Sequence, residues 1–231
     1  MILKGLQKTT LLDYPEKLAC TVFTGGCNFR CPFCHNASLV LRPSDVDEIS
    51  EESFFSYINK RKGLLDGVCI TGGEPLLNKD IEDFISRIKS LGFLVKLDTN
   101  GAFPDRLEAL LDKGLVDYVA MDVKNSPAKY AITAGLEDKL DLSLIERSIK
   151  IIMNKAPDYE FRTTVVRELH TEEDIEEISK WLVGTRRYFL QKYVDSGDIL
   201  LEGYSAYDDA QMQTLHTISC KHIPNTILRG V

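Results

Sequence analysis

Three cysteines stand close together near the beginning of the chain. Cys27, Cys31 and Cys34 lie in the stretch TGGCNFRCPFCHN and have the spacing C-x3-C-x2-C. Cysteine thiolates bind zinc ions and iron–sulfur clusters, and both kinds of site normally take four protein ligands. Since no fourth cysteine follows nearby, the stretch predicts a metal site that still needs one ligand.

Two kinds of metal site compete for this stretch. A zinc ion would need His35 or a distant residue as its fourth ligand, but His35 directly follows Cys34, and adjacent side chains rarely bind one ion. A [4Fe–4S] cluster held by three cysteines would instead leave one iron open to an exchangeable ligand. The spacing therefore favours a cluster with an open iron, and zinc remains the alternative.

Polar residues recur where predicted strands end. They are Gly72-Gly73-Glu74-Pro75 after residues 67–71, Asp98-Thr99-Asn100-Gly101 at the end of residues 93–99, Asp122 and Lys124 at the end of residues 117–123, and Arg162 within residues 159–166. Each motif alone is typical of a turn. Their recurrence at successive strands predicts one site, because the carboxyl ends of parallel strands share one rim.

The side chains of this set fit a ligand that carries an amino acid moiety and a ribose. Gly72 and Gly73 lack Cβ atoms, so a small molecule can approach the backbone closely there. Glu74 beside them can hold an ammonium group. The two aspartates can accept hydrogen bonds from hydroxyls or bind a cation, and the lysine and arginine can bind a carboxylate.

The elements that carry these residues alternate between short β-branched runs and longer stretches of helical period. Predicted strands cover residues 18–24, 67–71, 93–99, 117–123, 159–166 and 186–194, and predicted helices cover 51–65, 79–92, 104–114, 142–156 and 171–184. This alternation is typical of βα units around a parallel sheet. It predicts an α/β fold, a partial (β/α)6 TIM-like barrel, with a doubly wound open sheet as the alternative.

The remaining segments extend this core, which we place at about residues 18–194 of a single domain spanning residues 1–231. We expect an N-terminal extension, a loop over residues 37–50, a tail helix near residues 207–219 and a short strand at NTILR. Thr171 with Asp174 predicts a capping box, and Gly92, Gly114 and Gly184 stand where helices should end.

Composition narrows the classes of partner. The 231 residues are 44% hydrophobic and 27% charged, with a formal net charge of −7 and dispersed Lys and Arg, which argues against nucleic acid. No apolar run reaches the roughly 18 to 20 residues of a membrane span, and the start lacks a signal pattern. We expect a cytoplasmic protein without a membrane partner, in which Cys20, Cys69 and Cys220 are reduced core thiols.

The combination of motifs resembles the radical S-adenosylmethionine (SAM) superfamily. The resemblance rests on C-x3-C-x2-C after the first strand, an aromatic residue, Phe33, before the third cysteine, and GGEP after the second strand. It implies a partial six-unit barrel in which Cys27, Cys31 and Cys34 hold a [4Fe–4S] cluster and SAM chelates the fourth iron. The reduced cluster then cleaves SAM, and the resulting 5′-deoxyadenosyl radical abstracts a hydrogen atom.

The same resemblance implies which residues surround SAM. It places Gly72, Gly73 and Glu74 at the methionine amino group and Phe33, Cys34 and His35 against the adenine. It assigns the remaining contacts, at the ribose or the carboxylate end, to Asp98, Asn100, Asp122, Val123, Lys124 and Arg162.

The flanking sequence narrows the resemblance further. DYPEKLACTVFTGGCNFRCPFCHN is similar to the opening of glycyl-radical-enzyme activases, and most of all to the long form of the anaerobic ribonucleoside-triphosphate reductase activating protein. DTNG and DYVAMDVK are also similar to stretches of pyruvate formate-lyase activase. This implies a glycyl radical enzyme as protein substrate and a flavodoxin- or ferredoxin-like electron donor. Alternatives are a formate-lyase-type activase or a small-molecule enzyme such as a 7-deazapurine synthase.

Overall fold

The strands form one open sheet in sequential order. The computed structural model describes residues 1–231, apart from the side chain of Asp138. Its strands are β1 Leu3–Thr10, β2 Ala19–Thr24, β3 Gly67–Gly72, β4 Leu94–Thr99, β5 Tyr118–Asp122, β6 Asp158–Val165, β7 Tyr188–Lys192 and β8 Thr226–Arg229. β1 pairs with β2 in antiparallel fashion, and every later pair is parallel.

The strand order decides between the two predicted architectures. Each strand pairs with the next one along the chain, from β1 to β8, whereas a doubly wound sheet reverses its order at a switch point. The doubly wound alternative is therefore wrong. The partial barrel is confirmed: β2 to β7 are the six predicted strands, and β1 and β8 remain unpaired with each other, so the sheet does not close.

Helices connect the parallel strands. They are α1 Ala37–Leu41, α2 Glu51–Asn59, α3 Ile81–Ser90, α4 Pro104–Asp112, α5 Tyr130–Thr133, α6 Leu142–Lys155, α7 Glu172–Trp181 and α8 Asp209–Cys220. The capping box of Thr171 and Asp174 is confirmed at the start of α7. Gly92, Gly114 and Gly184 have positive φ values of 91°, 64° and 89°, as residues that end a helix often do. The tail helix and the last strand are confirmed as α8 and β8.

Two elements differ from the sequence-based prediction. Residues 37–50 are not one loop, since they contain α1 and a 3-10 turn at Pro43–Asp45. The N-terminal extension contains β1, in which a glycine and two lysines interrupt the β-branched and apolar pattern that would predict a strand. Both elements depend on distant partners: β1 pairs with β2, and the amide groups at the start of α1 bond to Asp198.

Asp198 belongs to the segment that links β7 to α8, residues 193–208, here called the strap. Its carboxylate accepts a hydrogen bond of 2.7 Å from the Ser38 hydroxyl, and its carbonyl accepts one of 3.2 Å from the Ala37 amide. The Leu201 amide donates to the Pro32 carbonyl at 2.9 Å. The strap, which follows β7, is therefore hydrogen-bonded to the segment that follows β2, although the sheet itself is open.

The two faces of the sheet differ in chemistry. Along β4, Val95 and Leu97 are fully buried in the main apolar core, and the side chains between them point to the other face because successive residues of a strand alternate. That face carries Lys96, which is 1% exposed, and Asp98. A small apolar group, including Tyr14 and Tyr118, forms a second cluster. The barrel interior is thus unusually polar for a buried parallel sheet.

Candidate active site

A cavity of about 240 Å³ lies at the carboxyl ends of the parallel strands. Most of the residues predicted from the sequence line it. They are Cys27, Cys31, Phe33, Cys34, His35, Gly72, Gly73, Asp98, Asn100, Asp122, Lys124 and Arg162. The structure thus brings together side chains that are separated by more than a hundred positions in the chain.

Backbone hydrogen bonds from neighbouring segments hold the cysteine loop, residues 25–36. The Gly26 amide donates to the Leu39 carbonyl, the Arg30 amide to the Ala134 carbonyl, and the strap donates to the Pro32 carbonyl, each at 2.9 Å. All six cysteines of the chain are free. Burial raises the pKa of Cys27 to about 11 and that of Cys31 to about 12, so these thiols keep their protons at neutral pH.

The glycine pair packs against the cysteine loop. A Cβ atom on Gly73 would lie 1.9 Å from the Gly26 carbonyl oxygen, and one on Gly72 would lie 2.4 Å from the Thr24 backbone. The same carbonyl of Gly26 accepts a hydrogen bond of 2.9 Å from the Glu74 amide. Both glycines also line the cavity, so their missing side chains permit loop packing as well as access to a ligand.

Glu74 lies beneath the cavity rather than on its surface. Its carboxylate is fully buried and accepts hydrogen bonds from the Leu76 amide at 3.0 Å, the Thr99 hydroxyl at 2.9 Å and the Asn100 amide at 2.7 Å. Burial raises its pKa to about 7 against these three donors. Val123, the other predicted residue that does not line the cavity, is fully buried in the core. Neither side chain reaches the surface of the cavity in this structure.

Charged side chains alternate in sign along the cavity wall. Arg162 donates from Nη1 to Asp98 at 3.3 Å and from Nε to Asp122 at 2.9 Å, and Lys124 donates to Asp122 at 3.1 Å. Although burial opposes ionisation, Arg162 and Lys124 hold the pKa of Asp122 below its usual range. Asp122 in turn raises the pKa of Lys124. All four groups are therefore charged at neutral pH.

Other cavity residues had no individual role assigned to them from the sequence. They are Phe29, Asn36, Val40, Thr71, Thr99, Thr164 and Gln191. Thr71, Thr164 and Gln191 lie at or near the ends of predicted strands, so strand position alone would have found them. Asn36 and Val40 follow the cysteines in a segment predicted as a loop. Tyr193 was also missed: its ring stacks on that of His35, with ring centroids 5.6 Å apart.

Comparison with known proteins identifies the family. The model of the radical SAM superfamily matches residues 21–182, which include the three cysteines and the GGEP motif. The chain belongs to the radical SAM superfamily. No described helix has the length and apolar character needed to cross a membrane.

Individual relatives differ in activity. A protein of Methanocaldococcus jannaschii, provisionally named a glycyl-radical enzyme activating enzyme, is 33% identical over 238 residues, which cover 100% of this chain and 96% of that protein. The 7-carboxy-7-deazaguanine synthase of Thermoplasma acidophilum is 31% identical over 142 residues, covering 61% of this chain and 63% of the synthase. Among solved structures, Streptococcus suis SuiB bound to its precursor peptide SuiA has a TM-score of 0.69 at 17% identity, over 90% of this chain and 47% of SuiB.

Radical SAM enzymes use a [4Fe–4S] cluster and SAM, and the cavity of this radical SAM protein fits both. Its three cysteines share one cavity, yet no three His, Cys, Asp or Glu side chains in the described part of the chain converge to hold a single metal ion. A cluster needs no such convergence, because each cysteine binds a different iron. The donor set therefore fits a cluster better than a zinc ion, and the charged wall offers partners for an amino acid ligand.

Proposed function

We propose that the protein is a glycyl-radical-enzyme activase in which Cys27, Cys31 and Cys34 bind the [4Fe–4S] cluster. The observation that carries the metal assignment is that the three thiols line one cavity. When bound, the cluster and SAM supply one-electron cleavage of a sulfonium and abstraction of a hydrogen atom.

The cavity wall would bind SAM through its amino acid end. Arg162 and Lys124 are the cations that can bind the carboxylate, and the backbone at Gly72 and Gly73 can approach the amino group. His35, fixed by its stacking on Tyr193, and Phe33 would lie against the adenine. We assign Glu74 an indirect role, since its carboxylate already holds the Asn100 amide and the Thr99 hydroxyl.

The substrate we propose is a glycine residue of a partner protein. Similarity over the whole chain to a protein named as a glycyl-radical activase supports this class of substrate. The glycine loses one hydrogen atom from its Cα and becomes a radical, and the electron that starts each turnover comes from a one-electron donor of the flavodoxin or ferredoxin class. We propose anaerobic ribonucleoside-triphosphate reductase as the partner, on the similarity of the segment DYPEKLACTVFTGGCNFRCPFCHN, with pyruvate formate-lyase as the second choice.

The test is to mix the anaerobically reconstituted protein with SAM, a reductant and an anaerobic ribonucleoside-triphosphate reductase from the same organism. We expect a doublet EPR signal on the reductase, and no signal when its radical-site glycine is replaced by alanine. A signal obtained only with a formate-lyase-type enzyme would keep the activase function and change the partner.

The alternative is a radical SAM enzyme that acts on a small molecule. Similarity to the deazaguanine synthase of T. acidophilum favours it, but extends over only 61% of this chain. If SAM is cleaved with a purine-derived substrate and no glycyl radical forms on either partner, the activase proposal is contradicted and this alternative is supported.

A further inference from the structure

A buried lysine lies directly behind the cavity wall. Lys96, in the middle of β4, is 1% exposed, and its ammonium group forms a salt bridge with the carboxylate of Asp98. The same ammonium is 3.8 Å from the Cys69 sulfur and 5.9 Å from the centroid of the Tyr118 ring. Burial opposes the charge, but Asp98 outweighs it, and the pKa of Lys96 is raised. A permanent charge is therefore held inside the barrel by one carboxylate.

That carboxylate connects Lys96 to the cavity. One oxygen of Asp98 contacts Lys96, and the other accepts from Arg162 at 3.3 Å. The Nε atom of Arg162 also forms a salt bridge with Asp122 at 2.9 Å, and the Nζ atom of Lys124 forms one with the other oxygen of Asp122 at 3.1 Å. These five residues form what we call the charge chain. Asp98, Arg162, Asp122 and Lys124 line the cavity, and Lys96 ends the chain on the side away from it.

The formal charges of the charge chain leave one positive charge in excess, since it holds three cations and two anions. A further carboxylate, Glu160, is 3.9 Å from Arg162, but it also pairs with Arg229 at 3.4 Å, so this pair adds no net charge. Without Lys96 the four groups of the cavity wall would be neutral in sum. The excess charge thus comes from a residue outside the cavity.

We propose that Lys96 is a positioning residue that holds Asp98 in place and supplies the excess positive charge with which Arg162 and Lys124 bind one carboxylate group of the ligand. This rests on the proposed function, in which the ligand is SAM and the group is its α-carboxylate. One oxygen of Asp98 contacts Lys96 and the other contacts Arg162, so the role we assign to Asp98 is to fix Arg162. A single carboxylate group carries the negative charge that matches the excess positive charge of this wall.

The first test removes the buried charge. Lys96→Met keeps about the length of the apolar stem and removes the ammonium. The reconstituted variant is titrated calorimetrically with S-adenosylhomocysteine and, separately, with its analogue that lacks the α-carboxylate. We expect about tenfold weaker binding of S-adenosylhomocysteine and little change for the analogue. A residue that only supported the fold would weaken both ligands alike, and that result would overturn the proposal.

A matched control is available at the other end of the barrel. Lys89 on α3 pairs with Asp117 at 2.7 Å, just before β5, and is three-quarters buried. Lys89→Met also removes a paired ammonium but leaves the charge chain intact. We expect it to leave the preference for the carboxylate-bearing ligand unchanged. An equal loss of preference in this control would show that the effect is not specific to Lys96.

A double variant covers the case in which Lys96→Met is too unstable to purify. Lys96→Met with Asp98→Asn removes one cation and one anion, restores the single excess charge and leaves Arg162 an amide oxygen to bind. We expect the preference for the carboxylate-bearing ligand to return to the wild-type value. If the double variant folds and lacks that preference, the inference is overturned.

The two proposals fail in different ways. If the wild-type protein binds neither ligand, the SAM site of the proposed function is wrong. If the wild type prefers the carboxylate-bearing ligand and Lys96→Met keeps the same preference, the SAM site stands and the role of Lys96 is wrong.

Discussion

At the scale of single residues, the cysteines and Glu74 differ in their position relative to the cavity. Cys27, Cys31 and Cys34 face the cavity, whereas Cys220 lies at the end of α8, with its sulfur 3.4 Å from His216. Glu74 lies underneath and binds backbone and hydroxyl donors. These placements lead to opposite expectations for variants of the same residue type.

Cys31→Ala should abolish both cluster assembly and SAM cleavage, because two thiolates cannot hold the cluster. Cys220→Ala is the matched control and should retain both. Iron content and visible absorption after anaerobic reconstitution measure the cluster, and release of 5′-deoxyadenosine measures cleavage. A stable, active cluster in Cys31→Ala would refute the ligand assignment.

Glu74 should make stability depend on pH. Its pKa is raised by burial to about 7 from 4.5, so the folded state binds a proton that the unfolded state has already released. Its contribution to the free energy of unfolding is complete below about pH 4.5 and is lost as the pH rises to about 7. The loss amounts to about 3 kcal/mol.

The check is Glu74→Gln, which keeps the size of the side chain and cannot ionise. The free energy of unfolding is measured with denaturant from pH 5 to pH 7.5. As the pH rises, the value for the wild type should fall relative to that of the variant. A difference that does not change with pH would mean that Glu74 keeps an ordinary pKa.

The residues of the site were largely predictable, because their types mark them. Clustered cysteines, a Gly-Gly pair and charged strand ends are rare enough to be seen in a sequence, and those residues line the cavity. Lys96 was not singled out, since a lysine in a strand is ordinarily exposed. The structure shows that the Lys96 side chain points into the barrel, because it lies on the face of β4 opposite to Val95 and Leu97.

At the scale of elements, the packing of the GGEP turn on the cysteine loop is the contact that shapes the site. Gly73→Ala would bring a Cβ atom within 1.9 Å of the Gly26 carbonyl oxygen, and backbone cannot move away as a flexible side chain does. We expect a loss of about 1–3 kcal/mol in the free energy of unfolding and incomplete cluster assembly, because the cysteine loop must shift.

Gly114→Ala provides the comparison for that variant. Gly114 has a φ of +64° and open space around its missing side chain, so alanine there costs about 1 kcal/mol of conformational strain only. Its iron content after reconstitution should equal that of the wild type. Equal iron content in Gly73→Ala would show that the turn does not position the cysteine loop.

Elements with a strong local period were predictable, and those that depend on distant partners were not. The five long helices and six parallel strands follow from apolar spacing. α1 has only five residues, and its first amides bond to Asp198. β1 is mostly polar and pairs with β2. The residues near α1 and β1 in the sequence therefore do not indicate that these elements form.

At the scale of the whole molecule, the sheet and its helices should unfold together. α8 buries Met212 and Leu215, and Ser219 on α8 bonds to Ser179 on α7 at 2.8 Å. Met212→Ala should lower the free energy of unfolding by about 2–5 kcal/mol, and far-UV and near-UV signals should change at one denaturant concentration. Two separate transitions would contradict the prediction of a single domain.

Gln213→Ala is the control for that variant, because Gln213 is exposed on the same helix. Surface substitutions of this kind usually change stability by about 0.5 kcal/mol or less. A loss as large as that of Met212→Ala would mean that the burial of Met212 does not explain the effect of that variant.

The strap has a consequence for the order in which the site can form during synthesis. The ribosome completes the cysteine loop early, but Ser38 bonds to Asp198, 160 positions later, and Pro32 bonds to Leu201. Contacts so distant in sequence form late, since they must close a long loop of chain. The hydrogen bonds that join the cysteine loop to the strap can therefore form only after the strap has left the ribosome.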